Sequence, residues 1–319
     1  MVLGTFLDTL VGDPRRGHPV SGYGWLVLAV ERRRYADSRR AGSVFWASCV
    51  LPLVALAYVL ERWLRDRPML RTATVAIATW TVLGGSSLRA VAAEIARQLA
   101  DDDLRAARQQ IPSLCGRDPD SLDRDGLARA ALESVAENTS DAVVGPLFWG
   151  AIAGVPGLLG YRAVNTLDAM VGHRSSRYAR FGTVAARIDD LANLVPARLT
   201  AALTVAGAPL VSGSAVHGWR VWRADASGHP SPNAGRCEAA MAGVLGVQLG
   251  GRVRYRSRVE DRPLLGDGAV PGPADLLRSV RLARLVQLGA LGVLSGAVAV
   301  GAAARALRRD DCGRPRSQP

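Results

Sequence analysis

The chain has 319 residues, of which 49% are hydrophobic and only 21% are charged, and its formal net charge is +12. This combination is typical of a membrane protein whose charges are confined to loops. All 40 basic residues are arginine, and the absence of lysine excludes Schiff-base catalysis and the lysine-containing phosphate loop of nucleotide-binding proteins.

Five apolar segments predict an all-α, polytopic integral-membrane helical bundle with helical polar loops. Residues 43–60 and 285–304 carry no charge, whereas glycine and serine weaken the end of 72–88, and Arg198 interrupts 194–211. Residues 142–160 are uncharged but contain two prolines and five glycines. The alternative is five buried helices of a soluble all-α protein. We expect one catalytic domain over 1–311 and a disordered tail over 312–319, which is rich in proline, arginine and serine.

A polar run, ENTSD at residues 137–141, stands directly before the interrupted segment. On a helix, Glu133, Glu137 and Asp141 are spaced i, i+4, i+8 and would share one stripe. Like charges on one stripe repel each other unless a cation or an arginine lies opposite. The stretch therefore predicts either a helix cap or a site that holds a positive group.

The same combination of carboxylates and an asparagine on a helix recurs in two later stretches, YRAVNTLDAMVGH and AARIDDLANLVPAR. In each, polar residues three or four positions apart would lie on one helix face. These pairs are Asn165 with Asp168, Arg187 with Asp190, and Asp189 with Asn193.

The fourth polar stretch is HPSPNAGRCEAAMAGVLGVQLGG, which contains Ser231 and Asn233. Its proline and Asn–Ala–Gly residues predict a turn, and a helix is expected from about Arg236. The N–H groups at the start of that helix are a candidate phosphate cradle. An ordinary turn and cap is an equal alternative.

Carboxylate and amide oxygens are ligands that suit Mg²⁺, which usually takes one or two carboxylates together with substrate phosphates. Each motif alone is typical of a helix cap. Three of them at membrane boundaries, where ionisable groups are costly, indicate a functional cavity. Because lysine is absent, any phosphate must be held by arginine, backbone N–H groups or a metal ion. The arginines are dispersed and accompany no recognised binding motif, so nucleic-acid binding is not expected.

Taken together, the motifs resemble those of the adenosylcobinamide-phosphate synthases, integral-membrane proteins of cobalamin biosynthesis. The similarity runs from about Leu7 to Tyr255 and includes GDPRRGHPV, ESVAENTSDAVVGPLFW and the two stretches that contain YRAVNTLDAM and HPSPNAGRCEAAM. Arg236 and Cys237 depart from the family, which has an aromatic residue after the Asn–Ala–Gly turn. The resemblance implies that ATP and Mg²⁺ drive amide formation between adenosylcobyric acid and aminopropanol or its O-phosphate, giving adenosylcobinamide or its phosphate.

The implied chemistry suggests roles for the motif residues, which we treat as hypotheses. Activating a carboxylate as an acyl phosphate requires Mg²⁺ on the nucleotide and positive groups near the transferred phosphoryl. The candidate catalytic residues are Glu137, Asp141, Asp168 and Asp190. The candidate metal ligands are Glu137, Asp141, Asp168, Asp189 and Asp190. The candidate substrate-binding residues are Asn138, Asn165, Arg187, Asn193, Arg198, Ser231 and Asn233.

Two other classes of protein stay open at this point. A membrane-embedded prenyl or CDP-alcohol-type transferase also holds Mg²⁺ with acidic helices, although its D-x-x-x-D spacing is absent here. A membrane sensor or scaffold without catalysis is the other class. The expected partners are the corrinoid, the amino alcohol and the lipid bilayer. The sequence leaves open the oligomeric state, including a homo-oligomer, and the choice between free and phosphorylated aminopropanol.

The expected location is the cell membrane, crossed several times, with the active site on the cytoplasmic side, where ATP is present. If every apolar segment crossed fully, the motifs would be separated by about 30 Å of hydrocarbon. Non-helical backbone at membrane depth is tolerated where it lines a cavity. We therefore predict that residues 142–160 form a broken or re-entrant segment that lets the four motifs converge.

Overall fold

The computed structural model describes residues 1–13, 17–173, 175–255 and 258–312. This part of the chain contains thirteen α-helices and one two-stranded antiparallel sheet. The tail predicted to be disordered, 312–319, lies outside the described residues except for Cys312, the last residue of α13. The helices are α1 (Val2–Val11), α2 (Pro19–Arg34), α3 (Arg39–Trp63), α4 (Pro68–Val82), α5 (Gly85–Ala100), α6 (Leu104–Gln110), α7 (Arg124–Thr139), α8 (Gly145–Leu167), α9 (Thr183–Ala192), α10 (Leu194–Ala206), α11 (Ala215–Asp225), α12 (Ala234–Leu245) and α13 (Pro273–Cys312).

Four helical stretches among the described residues are long and apolar enough to cross a membrane: Arg39–Trp63, Pro68–Ala100, Arg124–Gly172 and Pro273–Ala304. Leu51 and Leu56 of α3 and Val293 and Val300 of α13 are exposed, as expected of side chains that face lipid. The predicted segments 43–60 and 285–304 lie inside α3 and α13. The prediction of a helical membrane bundle is confirmed.

Two predicted apolar segments are shorter as helices than their sequences suggest. The stretch Pro68–Ala100 changes direction where α4 ends, because Leu83 is extended (ψ 148°) and the Gly84 N–H donates to the carbonyl of Ala142 at 3.1 Å. In segment 194–211, α10 ends at Ala206 and the 3₁₀ turn Ala208–Val211 follows it. These helices pack beside the longer spans without continuing as straight crossings.

A reversal of the chain divides the longest apolar stretch, Arg124–Gly172. Helix α8 leaves helical geometry at Ala153 (φ −128°, ψ 16°) and Gly154 (φ 61°, ψ −140°), and the latter conformation is nearly restricted to glycine. The Glu61 carboxylate, at the end of α3, accepts a hydrogen bond from the Val155 N–H at 3.0 Å. It thereby caps the helix that restarts after the break.

Contacts across the reversal show that the two arms run antiparallel. Gly145 faces the ring of Tyr161, and Gly157 lies against the carbonyl of Trp149, so neither position has room for a Cβ. A straight helix would separate Gly145 from Tyr161 by about 24 Å. Residues 124–172 therefore form a helical hairpin, called the acidic hairpin below, and the predicted break in 142–160 is confirmed. Each arm also contains a π-helical turn, Ser140–Val144 in the first and Asp168–Gly172 in the second.

The antiparallel sheet consists of β1 (Leu249–Tyr255) and β2 (Arg258–Leu265), and it was not predicted from the sequence. A bulge between Leu249 and Gly251 turns the Gly250 N–H toward α7, where it donates to Glu133 at 2.8 Å. This bond anchors the sheet on the first arm of the acidic hairpin. The sheet carries Arg262 to the cavity described next.

Alanine-rich helices form the centre of the bundle. Nearly every residue of α12 is buried, and α7 is buried along most of its length. Small side chains let helix axes approach closely; at Gly243, for example, a Cβ would press on the backbone of Gly218 in α11. The close packing of α7 and α12 fixes the polar residues that these helices carry.

Candidate active site

A chain of side-chain hydrogen bonds joins the first three predicted motifs. The Asn165 amide donates to Asp141 at 3.3 Å and to Asp189 at 3.4 Å. Asn193 donates to the other oxygen of Asp189 at 3.0 Å and accepts from the Tyr161 hydroxyl at 2.7 Å. The acidic hairpin makes these bonds possible, because it brings Asp141 and Asn165 together although 24 residues separate them.

The fourth motif is tied to the same group through Asn233. Its amide donates to the backbone carbonyl of Asp190 at 2.8 Å. Helix α12 begins at Ala234, two residues before the predicted start, and the Ser231 hydroxyl accepts from the Ala234 N–H at 3.1 Å. The Ser231 hydroxyl therefore stabilises the turn that precedes the helix, while Ser231 also lines the cavity.

The four motifs meet at a cavity of about 580 Å³. Seven acidic side chains line it, against one arginine and two histidines, so the lining carries a large excess of negative charge. The acidic residues are Glu137, Asp141, Asp168, Asp189, Asp190, Glu260 and Asp261; the others are Arg262, His173 and His229. Such a lining requires bound cations or protons to stabilise it.

The acidic residues of α9 show the effect of this crowding. Burial, reinforced by the carboxylate of Asp168, raises the pKa of Asp189 to about 7, even though hydrogen bonds from Asn193 and Asn165 oppose the shift. Burial also raises the pKa of Asp190, while the nearby Arg187 lowers it. A cation held in the cavity would lower both pKa values, because it favours the ionised carboxylates.

Four predicted substrate-binding residues do not line the main cavity, and one of them, Asn165, instead bonds the lining carboxylates Asp141 and Asp189. Arg187 lines an adjoining cavity of about 430 Å³, which shares Asp190 and His173 with the first. The Asn138 amide donates to the Ser134 carbonyl of its own helix at 3.0 Å. Arg198 is exposed and donates to the Leu194 carbonyl at 2.7 Å, so the structure does not bring it to either cavity.

The donor set of the main cavity fits Mg²⁺. Its ligands would be hard carboxylate oxygens, and Mg²⁺ requires only one or two of them when water and substrate phosphates complete the shell. Within the described residues, no group of three His, Cys, Asp or Glu side chains is arranged to hold a metal by itself. The metal-binding roles of Glu137, Asp141, Asp168, Asp189 and Asp190 stay predictions.

Several lining residues were not predicted, namely His173, His229, Glu260, Asp261 and Arg262. The last three lie on β2. The sequence signal that could have found the hairpin is in β1, where arginine alternates with Val253 and Tyr255 in GGRVRY, a pattern typical of a strand. The Nδ1 atom of His229 accepts from the Ser231 N–H at 3.1 Å. Burial and the nearby Arg262 lower the pKa of His229, which favours its neutral form.

The fold and the cavity together define a helical membrane protein with an acidic cavity where its four motifs meet. The family model described as CobD/Cbib protein matches residues 1–283. The chain belongs to this family, which confirms the family resemblance carried by the four motifs. No solved structure gave a significant match.

Relatives that share most of the chain have a common description, cobalamin biosynthesis protein CobD. The protein of Mycobacterium tuberculosis (strain H37Rv) is 53% identical over 291 residues, which cover 91% of this chain and 92% of the relative. The Chromobacterium violaceum protein is 43% identical, with 93% and 95% covered. The Rhodobacter capsulatus protein is 42% identical, with 94% and 96% covered.

Proposed function

We propose that the protein is an ATP- and Mg²⁺-dependent amide ligase of cobalamin biosynthesis. It joins the carboxylate of adenosylcobyric acid to the amine of aminopropanol or aminopropanol O-phosphate. The observation that carries this proposal is the acidic cavity, at which four motifs from distant parts of the chain meet. Family membership and the names of the relatives support the pathway.

The acidic residues would hold the metal. Asp141, Asp168 and Asp189 come from both arms of the acidic hairpin and from α9, so a cation between them would also hold these elements together. Bound Mg²⁺ would neutralise the nucleotide phosphates during phosphoryl transfer. Asn165 and Asn193 keep the carboxylates of Asp141 and Asp189 in place through the hydrogen bonds described above.

Phosphate and substrate amides would be bound by the remaining polar groups. Arg187 in the adjoining cavity and Arg262 in the main one can each form a bidentate contact with phosphate or carboxylate. The Asn233 oxygen is buried and has no hydrogen-bond partner within the described residues, so it can accept from a carboxamide of a corrinoid. The site would face the cytoplasm, where ATP is present.

The transferase alternative is not supported by a specific feature of the site. If the chain were such a transferase, we would expect its relatives to act in lipid or phospholipid metabolism. The relatives of this chain are instead named for cobalamin biosynthesis. Seven acidic residues around one cavity destabilise the protein when no ligand is bound. A scaffold without catalysis would have no use for such an arrangement.

The test is ADP release by the detergent-solubilised full chain, supplied with Mg²⁺, ATP, adenosylcobyric acid and aminopropanol O-phosphate. We expect ADP and the amide product in equal amounts. Omitting either the corrinoid or the amine should abolish product formation. ADP release that does not depend on the corrinoid, or the absence of amide product under all conditions, would contradict the proposal.

A further inference from the structure

A third cavity, of about 260 Å³, lies between α7, α12 and the sheet. It shares Glu137 and Arg262 with the main cavity, so these two residues stand at the boundary between them. It is large enough for an amino alcohol and much too small for a corrinoid. The other charged residues of its lining are Arg117, Glu133 and Glu238.

Two of these charges already neutralise each other. The Arg117 guanidinium donates to one oxygen of Glu133, and both side chains are buried. The second oxygen of Glu133 accepts from the Gly250 N–H at 2.8 Å, the bond that anchors the sheet. This pair is therefore satisfied within the protein and contributes little net charge to the cavity.

Glu238, in contrast, has no hydrogen-bond partner among the described residues. Its side chain is 1% exposed, and neither carboxylate oxygen has a hydrogen bond. The nearest basic group is the Nε2 atom of His229, at 3.8 Å, which is beyond hydrogen-bond distance and is itself without a partner. Leaving a carboxylate buried in this way is strongly destabilising unless a ligand or a proton neutralises it.

The remaining charges have a definite arrangement. Beyond the Arg117–Glu133 pair, the lining holds two carboxylates, Glu137 and Glu238, and one guanidinium, Arg262. Arg262 donates to the Tyr255 hydroxyl at 2.8 Å, and its Nε lies 3.7 Å from a carboxylate oxygen of Glu260. That Nε has no hydrogen-bond partner among the described residues. The cavity thus offers negative charge to an ammonium group and one arginine, at its boundary with the main cavity, to an anionic group.

Building on the function proposed above, we propose that this cavity binds the amine co-substrate as a small primary ammonium compound. Glu238 is the counter-charge of the ammonium group, and Arg262 contacts the phosphate where the amine carries one. Glu137, at the boundary, places the bound nitrogen next to the cavity that would hold the activated carboxylate. Burial raises the pKa of Glu238 although the charges of Arg262 and Arg117 oppose the shift, and a bound ammonium group would lower that pKa further.

Isothermal titration calorimetry on the detergent-solubilised full chain tests this assignment, with aminopropanol and aminopropanol O-phosphate as separate ligands. We expect the wild type to bind both. Glu238→Gln should weaken both by about 10- to 100-fold, the scale of a lost hydrogen bond to a charged group. Arg262→Gln should weaken only the phosphorylated ligand. The control variant, Glu94→Gln, changes a glutamate on the outer face of α5 and should bind both like the wild type.

Thermal unfolding without ligand separates binding from folding. Because Glu238 has no hydrogen-bond partner among the described residues, Glu238→Gln should leave the Tm unchanged or raise it; a structural glutamate would lower the Tm. Wild-type affinity of Glu238→Gln for both amines, or a wild type that binds neither, would overturn the assignment. Equal weakening of both ligands by Arg262→Gln would overturn the phosphate contact.

Turnover distinguishes this assignment from the ligase proposal. If the wild type forms the amide and Glu238→Gln keeps the wild-type KM for the amine, the subsite is wrong and the ligase proposal stands. If Glu238 is required for amine binding but the wild type makes no amide from adenosylcobyric acid, the subsite stands and the ligase proposal fails.

Discussion

The acidic hairpin and α13 are both long apolar stretches, yet they have different structures. Helix α13 runs from Pro273 to Cys312 without a break, and three of its four glycines, Gly292, Gly296 and Gly301, have open space beside them. The hairpin reverses at Gly154, and its glycines lie at close range against other groups, for example the Tyr161 ring at Gly145 and the Trp149 carbonyl at Gly157. Apolar composition is thus shared by both, while the surroundings of the glycines differ.

The comparison indicates that apolar length alone does not fix the path of a helix and that the breaks bring the motif residues together. In the hairpin, one reversal brings Asp141 and Asn165 into contact, and the two π-helical turns lie at the acidic residues Asp141 and Asp168. π-Helical turns occur often at functional sites because they alter the direction of side chains within a helix. Nothing comparable interrupts α13 within the described residues.

The largest expected effect comes from removing single carboxylates of the hairpin and α9. Asp141→Asn, Asp168→Asn and Asp190→Asn should each lower turnover by at least about 100-fold, the scale of losing one preorganised charge contact. Asparagine has nearly the same shape, so expression and membrane insertion should persist. Asp66→Asn, at an exposed position after α3, is the matched control and should keep wild-type kcat. Wild-type turnover in all three variants would restore the interpretation of these residues as helix caps.

The next largest effect is expected at the reversal itself. Gly154→Ala places a side chain in a conformation nearly restricted to glycine and against the Glu61 carboxylate, which should destabilise the protein by about 1–3 kcal/mol. The same change in the straight helix, Gly296→Ala, meets open space and should be neutral or slightly stabilising. Thermal unfolding in detergent measures both. Equal Tm values for the two variants would mean that the reversal does not depend on Gly154.

A smaller effect is expected from the carboxylate that caps the second arm. Glu61→Gln should destabilise the protein by about 1 kcal/mol, because it weakens the bond from the Val155 N–H. Arg71→Gln removes only the partly exposed ion pair with Glu61 and should have an effect below about 1 kcal/mol. Urea or thermal unfolding of both variants separates the cap from the ion pair. A larger loss from Arg71→Gln would show that the ion pair, not the cap, stabilises this end.

The smallest expected effect compares two arginines. Arg187→Lys keeps the charge but loses the bidentate fork, so the KM for ATP or for the corrinoid should rise a few-fold. Arg198→Lys lies outside both cavities and should leave every KM unchanged. Steady-state kinetics with each substrate varied in turn measures this. A rise in KM for Arg198→Lys alone would reverse the assignment that the structure supports.

The parts of the fold that follow from local chemistry were predictable. Proline and glycine in residues 142–160 predicted the break, and carboxylates and asparagines at helical spacing indicated which faces meet. The position of a side chain relative to elements that are distant in the sequence was not predictable. Arg198 was assigned to a site because it is the only charge in its segment, but the direction of a side chain depends on how α10 packs. Glu260, Asp261 and Arg262 were missed because a short strand reaches the cavity only through its contacts with α7 and α12.

The central claim is that the chain enters and leaves the acidic hairpin on the same side of the membrane. Cysteine-accessibility labelling tests it directly, with Asp125→Cys and Ser176→Cys introduced separately into a background in which Cys49, Cys115, Cys237 and Cys312 are alanine. Both positions are exposed; Asp125 lies at the start of the hairpin and Ser176 lies just after its end. A membrane-impermeant maleimide added to intact cells should label neither cysteine, and both should react once the membrane is opened. Labelling of one position from outside while the other reacts only after opening would mean a single full crossing and would contradict the account.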